Sequence, residues 1–357
     1  MTKNYLVSTG GSGGHVLPAT VLYEHLSEEA NIIISTDKRG LKYLDKNKYQ
    51  IEIIDTPKLN NIFILPLNLF VIFILTIKSF FLLKKKKIGK VFSTGGYMSL
   101  PLILASKILG LEIFLIEPNH ILGRANKFFL DSCKKIFCYN GEIKNFPEKF
   151  KNKIIIIDPL VKRQIYELKF IKKNSEKFTI LIVGGSQGAN IFDKDLKNSI
   201  LKISKNSSIR IIQQTYDSNI SILKDFYSKN NLDNNIFSFD INFGDILQQA
   251  DLCITRAGAS TLAELSVINI PFIAIPLPTS KDNHQFENAN FYKNNNCCWI
   301  IEQKYFEDEI EKLLINILND KREYLKKKEN LKKLNNKNTW KNVNQKILRV
   351  INENRVS

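Results

Sequence analysis

The sequence predicts two doubly wound α/β domains, on three observations. Short apolar runs alternate with helical patterns along the chain, as expected of parallel strands covered by helices on both faces. The alternation restarts near residue 178, behind a second strand, glycine loop and helix. With 357 residues, 44 % hydrophobic and 24 % charged, the chain is long and apolar enough for two cores.

The first half opens with an apolar run at 3–8, then Gly10-Gly11-Ser12-Gly13-Gly14-His15, then a helical pattern from about Pro18. Proline suits an early helical turn, where its missing N–H costs little. Ile32-Ile33-Ile34 and Ile51-Glu52-Ile53-Ile54 read as further strands. Val91-Phe92-Ser93 leads into Gly95-Gly96 and a helix over 100–109, with strands at 112–116 and 135–138. In the second half, 178–183 is a strand, Gly184-Gly185-Ser186-Gln187-Gly188 a loop and 190–203 a helix. Strands are expected at 209–213, 251–255 and 271–275, and a helix from about Thr261. The polar, lysine-rich stretch 158–177 marks the boundary, dividing the chain into 1–160, 161–340 and a C-terminal helix or tail, 341–357. Residues 307–355 read as helices; whether the last lies back against the first domain is left open.

Lys and Arg number 52 against 35 Asp and Glu, a net charge of +17. That balance points to an anionic partner, phosphate, nucleic acid or a lipid surface, or equally to a compositional bias toward Lys, Asn and Ile. A nucleic-acid binder would show aromatic platforms or a basic recognition helix, and the sequence offers neither. The five cysteines form no CxxC pair, which argues against a zinc site, and five is odd for a disulfide framework. The N-terminus runs straight into a glycine loop without the pattern of a signal peptide. A reducing cytoplasm is expected.

Four glycine loops follow strands and open helices: 10–15, 95–99, 184–189 and 256–260. A helix N-terminus carries unpaired N–H groups and partial positive charge, and glycine lets backbone approach an anion closely. One such loop is weak evidence of phosphate binding; four in two similar halves say more. None matches GxxxxGK[ST], and the first is not GxGxxG, so a P-loop ATPase and a nicotinamide dehydrogenase are disfavoured. In doubly wound sheets, ligands bind outside the carboxyl ends of the strands.

The loops and their neighbours carry a family resemblance. Ser8-Thr9-Gly10-Gly11-Ser12-Gly13-Gly14-His15 with Pro18-Ala19, and Gly95-Gly96-Tyr97-Met98-Ser99 with Pro101, resemble the first two loops of the MurG family. So do Glu117-Pro118-Asn119 with Gly123-Arg124-Ala125-Asn126, and Gly184-Gly185-Ser186-Gln187-Gly188-Ala189. The stretch Arg256-Ala257-Gly258-Ala259-Ser260-Thr261 with Glu264, Pro271, Pro276 and Lys281-Asp282-Asn283-His284-Gln285 is similar to the family's donor-binding region. The resemblance runs from about residue 5 to 303, in order. It implies the GT-B fold, two Rossmann-like domains around a cleft. It implies an inverting, metal-independent transfer of N-acetylglucosamine from UDP-GlcNAc to the muramoyl 4-hydroxyl of lipid I, giving lipid II. UDP-GlcNAc is a substrate, and no cofactor is expected. Peptidoglycan synthesis, and with it cell shape and division, would be the setting.

Carried over residue by residue, the resemblance implies the following roles. Glu264 accepts hydrogen bonds from the ribose hydroxyls. Ser186 and the N–H groups of Ser260 and Thr261 hold the diphosphate, where preorganised donors stabilise the leaving group, and Ala259, Leu262 and Ala263 beside them also bind substrate. Gln285 meets the sugar hydroxyls, and Asn119 reaches the sugar from the first domain. Ser12, Gly13 and Gly14 line the sugar and acceptor side, and the uracil meets backbone near Phe239-Asp240-Ile241. An imidazole titrates near neutrality, so His15 is either the general base or a histidine that only bonds the loop. Three departures stand out. The family's GNPVR reads Ile157-Asp158-Pro159-Leu160-Val161, with Lys162 or Arg163 as substitutes for the arginine; Pro118 and His284 each replace a glutamine.

Residues 62–83 are almost wholly apolar, with Lys78 the only charge, and Lys84-Lys85-Lys86-Lys87 follow. Twenty-two residues suffice to cross a bilayer. But strands on both sides of the stretch must share one sheet, so an interfacial segment is favoured, with the lysines on anionic headgroups. The competing reading is a core helix. The expected location is peripheral, on the cytoplasmic face of the bacterial inner membrane. Two other activities of the same fold compete, a diacylglycerol glycosyltransferase and a nucleotide-sugar epimerase. The epimerase would not need residues 62–87.

Overall fold

Runs of four to six β-branched and aromatic residues, buried on both faces, make the central strands, and the computed structural model builds two all-parallel sheets from them. It describes residues 3–58, 63–168, 176–185, 190–238 and 243–353. The chain divides into two compact units, 1–160 with 340–357, and 161–339.

The first unit runs β1 (Asn4–Ser8), α1 (Gly13–Leu26), β2 (Asn31–Thr36), α2 (Lys38–Leu41), β3 (Gln50–Ile53), α3 (Leu65–Lys85), β4 (Ile88–Ser93), α4 (Leu100–Ile108), β5 (Glu112–Glu117), α5 (Arg124–Phe129), β6 (Lys135–Cys138) and β7 (Ile154–Ile156). Its sheet has the order β3-β2-β1-β4-β5-β6-β7. The second unit runs α6 (Arg163–Glu167), β8 (Phe178–Val183), α7 (Lys197–Ser204), β9 (Ile209–Gln214), α8 (Ile220–Lys229), β10 (Asp233–Phe237), α9 (Phe243–Leu247), β11 (Leu252–Thr255), α10 (Ala259–Val267), β12 (Phe272–Ala274), α11 (His284–Asn294), β13 (Cys298–Ile300), α12 (Phe306–Asn319) and α13 (Lys321–Leu334). Its sheet has the order β10-β9-β8-β11-β12-β13. The last helix, α14 (Trp340–Asn352), belongs to the first unit rather than forming a tail of its own. Its Val343, Ile347, Val350 and Ile351 join Ala19, Leu22 and Leu26 of α1 in one buried cluster.

Strand order reverses between β1 and β4 in the first sheet and between β8 and β11 in the second. These are the switch points at which open α/β sheets bind ligands. All four glycine loops follow these four strands. Three strands escape the sequence pattern: β7, β10 and β13 are short edge strands. An edge strand of Asp233-Asn234-Asn235-Ile236-Phe237 has too few apolar residues to announce itself.

Helix α3 has an inverted surface. The side buried against the unit is Asn68, Ile72, Thr76, Ser79 and Leu83, small or polar at three of five positions. Outward stand Leu67, Phe70, Phe73, Ile77 and Phe81, with Leu67 63 % and Phe81 64 % exposed. The core-helix reading therefore fails, since only 22 % of the most apolar window is buried. A spanning reading fails as well, because β3 and β4 on either side of the helix lie in one sheet.

Candidate active site

In the first unit, α1 begins at Gly13, earlier than the expected start near Pro18, because Ser12 takes the extended N-cap conformation. The Ser12 side chain makes no capping hydrogen bond. The loop needs its glycines: Gly10 and Gly11 have φ of 149° and 76°, and a Cβ on Gly10 would sit 2.6 Å from Asp37 Oδ1. In the second loop, Gly95 and Gly96 have φ of 84° and 85°. The loops are tied together, the Thr94 hydroxyl donating to Thr9 Oγ1 at 2.9 Å.

His15 lies across this tie. Its Nδ1 is 2.8 Å from the Thr94 carbonyl oxygen. A carbonyl only accepts, so Nδ1 carries the hydrogen and, in the neutral ring, Nε2 carries the lone pair. That is the tautomer a general base requires. Asn119 is set by Glu117, whose buried Oε1 accepts from the Asn119 amide at 3.2 Å and its Nδ2 at 3.0 Å. Glu117 Oε2 accepts from Gly123 N at 2.8 Å and Asn126 Nδ2 at 3.0 Å. One carboxylate thus shapes the whole 117–126 segment, a role its sequence position does not advertise.

In the second unit, Gly258 caps α10, so Ala259, Ser260 and Thr261 form its first turn. Leu262 and Ala263 are buried beneath it. Glu264 follows on the same helix. Burial pushes its carboxyl up to about 7, against the pull of the Lys162 ammonium. Arg163 instead is exposed and pairs with Glu167, Nε to Oε1 at 3.7 Å. Of the two substitutes for the family arginine, Lys162 is therefore the one whose charge reaches Glu264. Gln285 Oε1 accepts from Ala257 N at 3.2 Å and Leu277 N at 3.0 Å, which joins the α10 and α11 loops and turns the amide nitrogen to other work. Asn288 Nδ2 adds a bond to the Ala257 carbonyl at 3.2 Å. Ser186 and Asp240 lie outside the described residues, as does the Phe239-Asp240-Ile241 segment. Among the described residues no group of His, Cys, Asp or Glu is arranged to hold a metal.

Residues 5–138 match the glycosyltransferase family 28 N-terminal domain, and residues 179–346 match its C-terminal domain. A crystal structure of MurG from Acinetobacter baumannii superposes with a TM-score of 0.76 at 22 % identity, covering 99 % of this chain and 100 % of that one. A UDP-N-acetylglucosamine 2-epimerase also superposes, with a TM-score of 0.62 at 12 % identity over 92 % of this chain and 91 % of that one. The fold therefore does not decide between the activities, and sequence identity does. A UDP-N-acetylglucosamine–N-acetylmuramyl-(pentapeptide) pyrophosphoryl-undecaprenol N-acetylglucosamine transferase of Pelagibacter ubique is 48 % identical, covering 99 % of this chain and 100 % of its own. The chain belongs to the MurG family. A relative of the same description from Rickettsia felis is 34 % identical over 89 % of this chain and 91 % of its own. Against the MurG pattern, Val161 is buried at the missing arginine and His284 opens α11. Pro118 lies between Glu117 and Asn119 without breaking their hydrogen bonds.

Proposed function

We propose that this protein transfers N-acetylglucosamine from UDP-GlcNAc to the 4-hydroxyl of the muramoyl residue of lipid I, with inversion at the anomeric carbon. The observation that carries the reading is 48 % identity over the full chain to a transferase so described. The geometry of each unit is in keeping with it. The acceptor hydroxyl loses its proton to His15 Nε2 and attacks the anomeric carbon. The bond from that carbon to the UDP oxygen breaks, and the charge develops on the diphosphate at the N-terminus of α10. Ionised Glu264 accepts from both ribose hydroxyls, and Gln285 donates its amide N–H to the sugar.

The protein works as a peripheral enzyme at the cytoplasmic face of the inner membrane. Supporting this are the outward apolar face of α3 and Lys84, Lys85 and Lys87, exposed at its end. Lys86 pairs with Glu52 at 3.3 Å. The helix is about 31 Å long at 1.5 Å per residue, and because β3 and β4 on either side of it share one sheet, it lies along the lipid surface rather than across it.

The experiment is linkage analysis of the product. A β-configured N-acetylglucosamine on the muramoyl 4-oxygen is expected. An α product, or a sugar on any other oxygen, contradicts the mechanism.

A further inference from the structure

The stretch Thr36-Asp37-Lys38-Arg39-Gly40, at the end of β2, carries none of the motifs above, yet it packs against both glycine loops of the first unit. The Asp37 side chain is only 1 % exposed. Its Oδ1 accepts from Gly11 N at 2.8 Å and Gly40 N at 2.9 Å. Its Oδ2 accepts from Arg39 Nε at 2.8 Å and also from Arg39 Nη2. Nη2 donates in addition to the Tyr97 hydroxyl of the second loop, and the guanidinium carbon lies 5.2 Å from the Tyr97 ring centroid. Gly40 leaves no room for a side chain, since a Cβ there would come 2.7 Å from Gly10 Cα. Burial alone would push the Asp37 carboxyl up, but the Gly11 N–H, Arg39 and the Gly40 N–H outweigh it and hold it below the usual range. The ion pair therefore persists at neutral pH.

This arrangement uses the Nε–H and both Nη2 hydrogens of the guanidinium and leaves Nη1 open. Nη1 makes no hydrogen bond among the described residues, and the Arg39 side chain is 39 % exposed. A guanidinium already held by a carboxylate and a tyrosine hydroxyl loses little entropy when its free Nη1 grips a phosphate. It stands beside Gly11, next to a helix N-terminus where the His15 N–H bonds the Ser12 carbonyl at 3.1 Å and the Gly13 and Gly14 N–H groups have no partner among the described residues. We propose that Arg39 binds the diphosphate of the acceptor, with Asp37 and Tyr97 as its positioning residues. This rests on the acceptor reading given above.

The test compares two short-chain acceptors alike except in linkage, one diphosphate and one monophosphate, by initial rates. The wild type is expected to prefer the diphosphate. Arg39→Ala raises KM for the diphosphate acceptor about 10- to 100-fold, the range for one charge-assisted hydrogen bond, and shrinks the preference by the same factor. Donor KM stays within about twofold, as donor binding does not use this cation. Arg39→Lys recovers part of the preference, and Tyr97→Phe, which keeps the ring, loses a smaller part. A preference unchanged in both Arg39→Ala and Tyr97→Phe, or a loss of kcat equal on both acceptors, overturns the proposal and leaves only a loop strut. A wild type inactive on both acceptors overturns the acceptor reading itself, and this proposal with it.

Discussion

Glu264 is a carboxyl that burial holds near neutrality, and the ribose contact proposed for it needs the charged form. The sign follows. Below about 7 the group is protonated and accepts poorly from the ribose; above it the carboxylate accepts from both hydroxyls. Donor KM is therefore expected to fall as pH rises through about 7 and to level off above it, with Glu264→Gln flattening the profile and raising KM about tenfold or more. Steady-state kinetics against UDP-GlcNAc across that range checks this, and a wild-type KM that does not move with pH contradicts it. His15 makes the opposite kind of prediction. His15→Ala should cut kcat by roughly 10²- to 10⁴-fold while calorimetry finds UDP binding unchanged. Near-normal turnover would reduce His15 to a loop residue. Both positions are legible in the sequence because they sit inside local motifs. Asp37 and Arg39 are not: their partners Gly11 and Tyr97 lie 26 and 58 residues away, and only folding brings them together.

Helix α3 shows how an element can be found while the face it turns inward stays hidden. A run of nearly uniform apolarity announces a helix but hides which face turns inward. The clue is its few polar residues, since Asn68, Thr76 and Ser79 all fall on the buried side. Asn68 Nδ2 donates to the Lys58 carbonyl at 2.9 Å and the Thr76 hydroxyl to the Ile72 carbonyl at 2.8 Å, so two of the three inward polar groups are satisfied locally, while the buried Ser79 hydroxyl has no partner among the described residues. Replacing Lys84, Lys85, Lys86 and Lys87 with Gln should weaken binding to anionic vesicles at least about tenfold, at about 1 kcal/mol per lysine near the surface. Turnover of a short-chain soluble acceptor should be spared. Co-sedimentation shows the outcome, and equal binding to anionic vesicles would remove the lysines from the interface. The glycine loops are the other kind of element, announced by strand, glycine and helix in sequence. What the pattern lacks is three of the four edge strands, β7, β10 and β13, whose three to five residues are too short or too polar to stand out.

On the scale of the whole chain, the C-terminal helix closes the first unit, and a histidine sits in that closure. His25 of α1 stacks on Trp340 at 3.7 Å between centroids and its Nδ1 lies 3.2 Å from Asn344 Oδ1. Burial holds its pKa down to about 4 from 6.5. The contribution is fully present above 6.5 and is lost as pH falls toward 4, amounting to about 3 kcal/mol at 1.36 kcal/mol per unit. Urea unfolding of wild type and His25→Phe across that window measures it; burial holds His120 down to about 4 as well and adds a loss common to both proteins, so the wild type should lose this much more than the variant. The same loss in both would place the acid sensitivity elsewhere. The two-sheet plan and the four loops at its switch points were open to a reader of the sequence. The return of residues 340–352 to the first unit was not, because α14 is amphipathic like any surface helix and its partner lies more than 300 residues away. The chemistry is tested most directly by incubating the protein with radiolabelled UDP-GlcNAc and a lipid I analogue, beside UDP-GalNAc and diacylglycerol controls. Label should pass to the lipid I analogue alone, one UDP released for each sugar moved. Label on diacylglycerol, or an epimerised sugar nucleotide formed without any acceptor, would contradict the account.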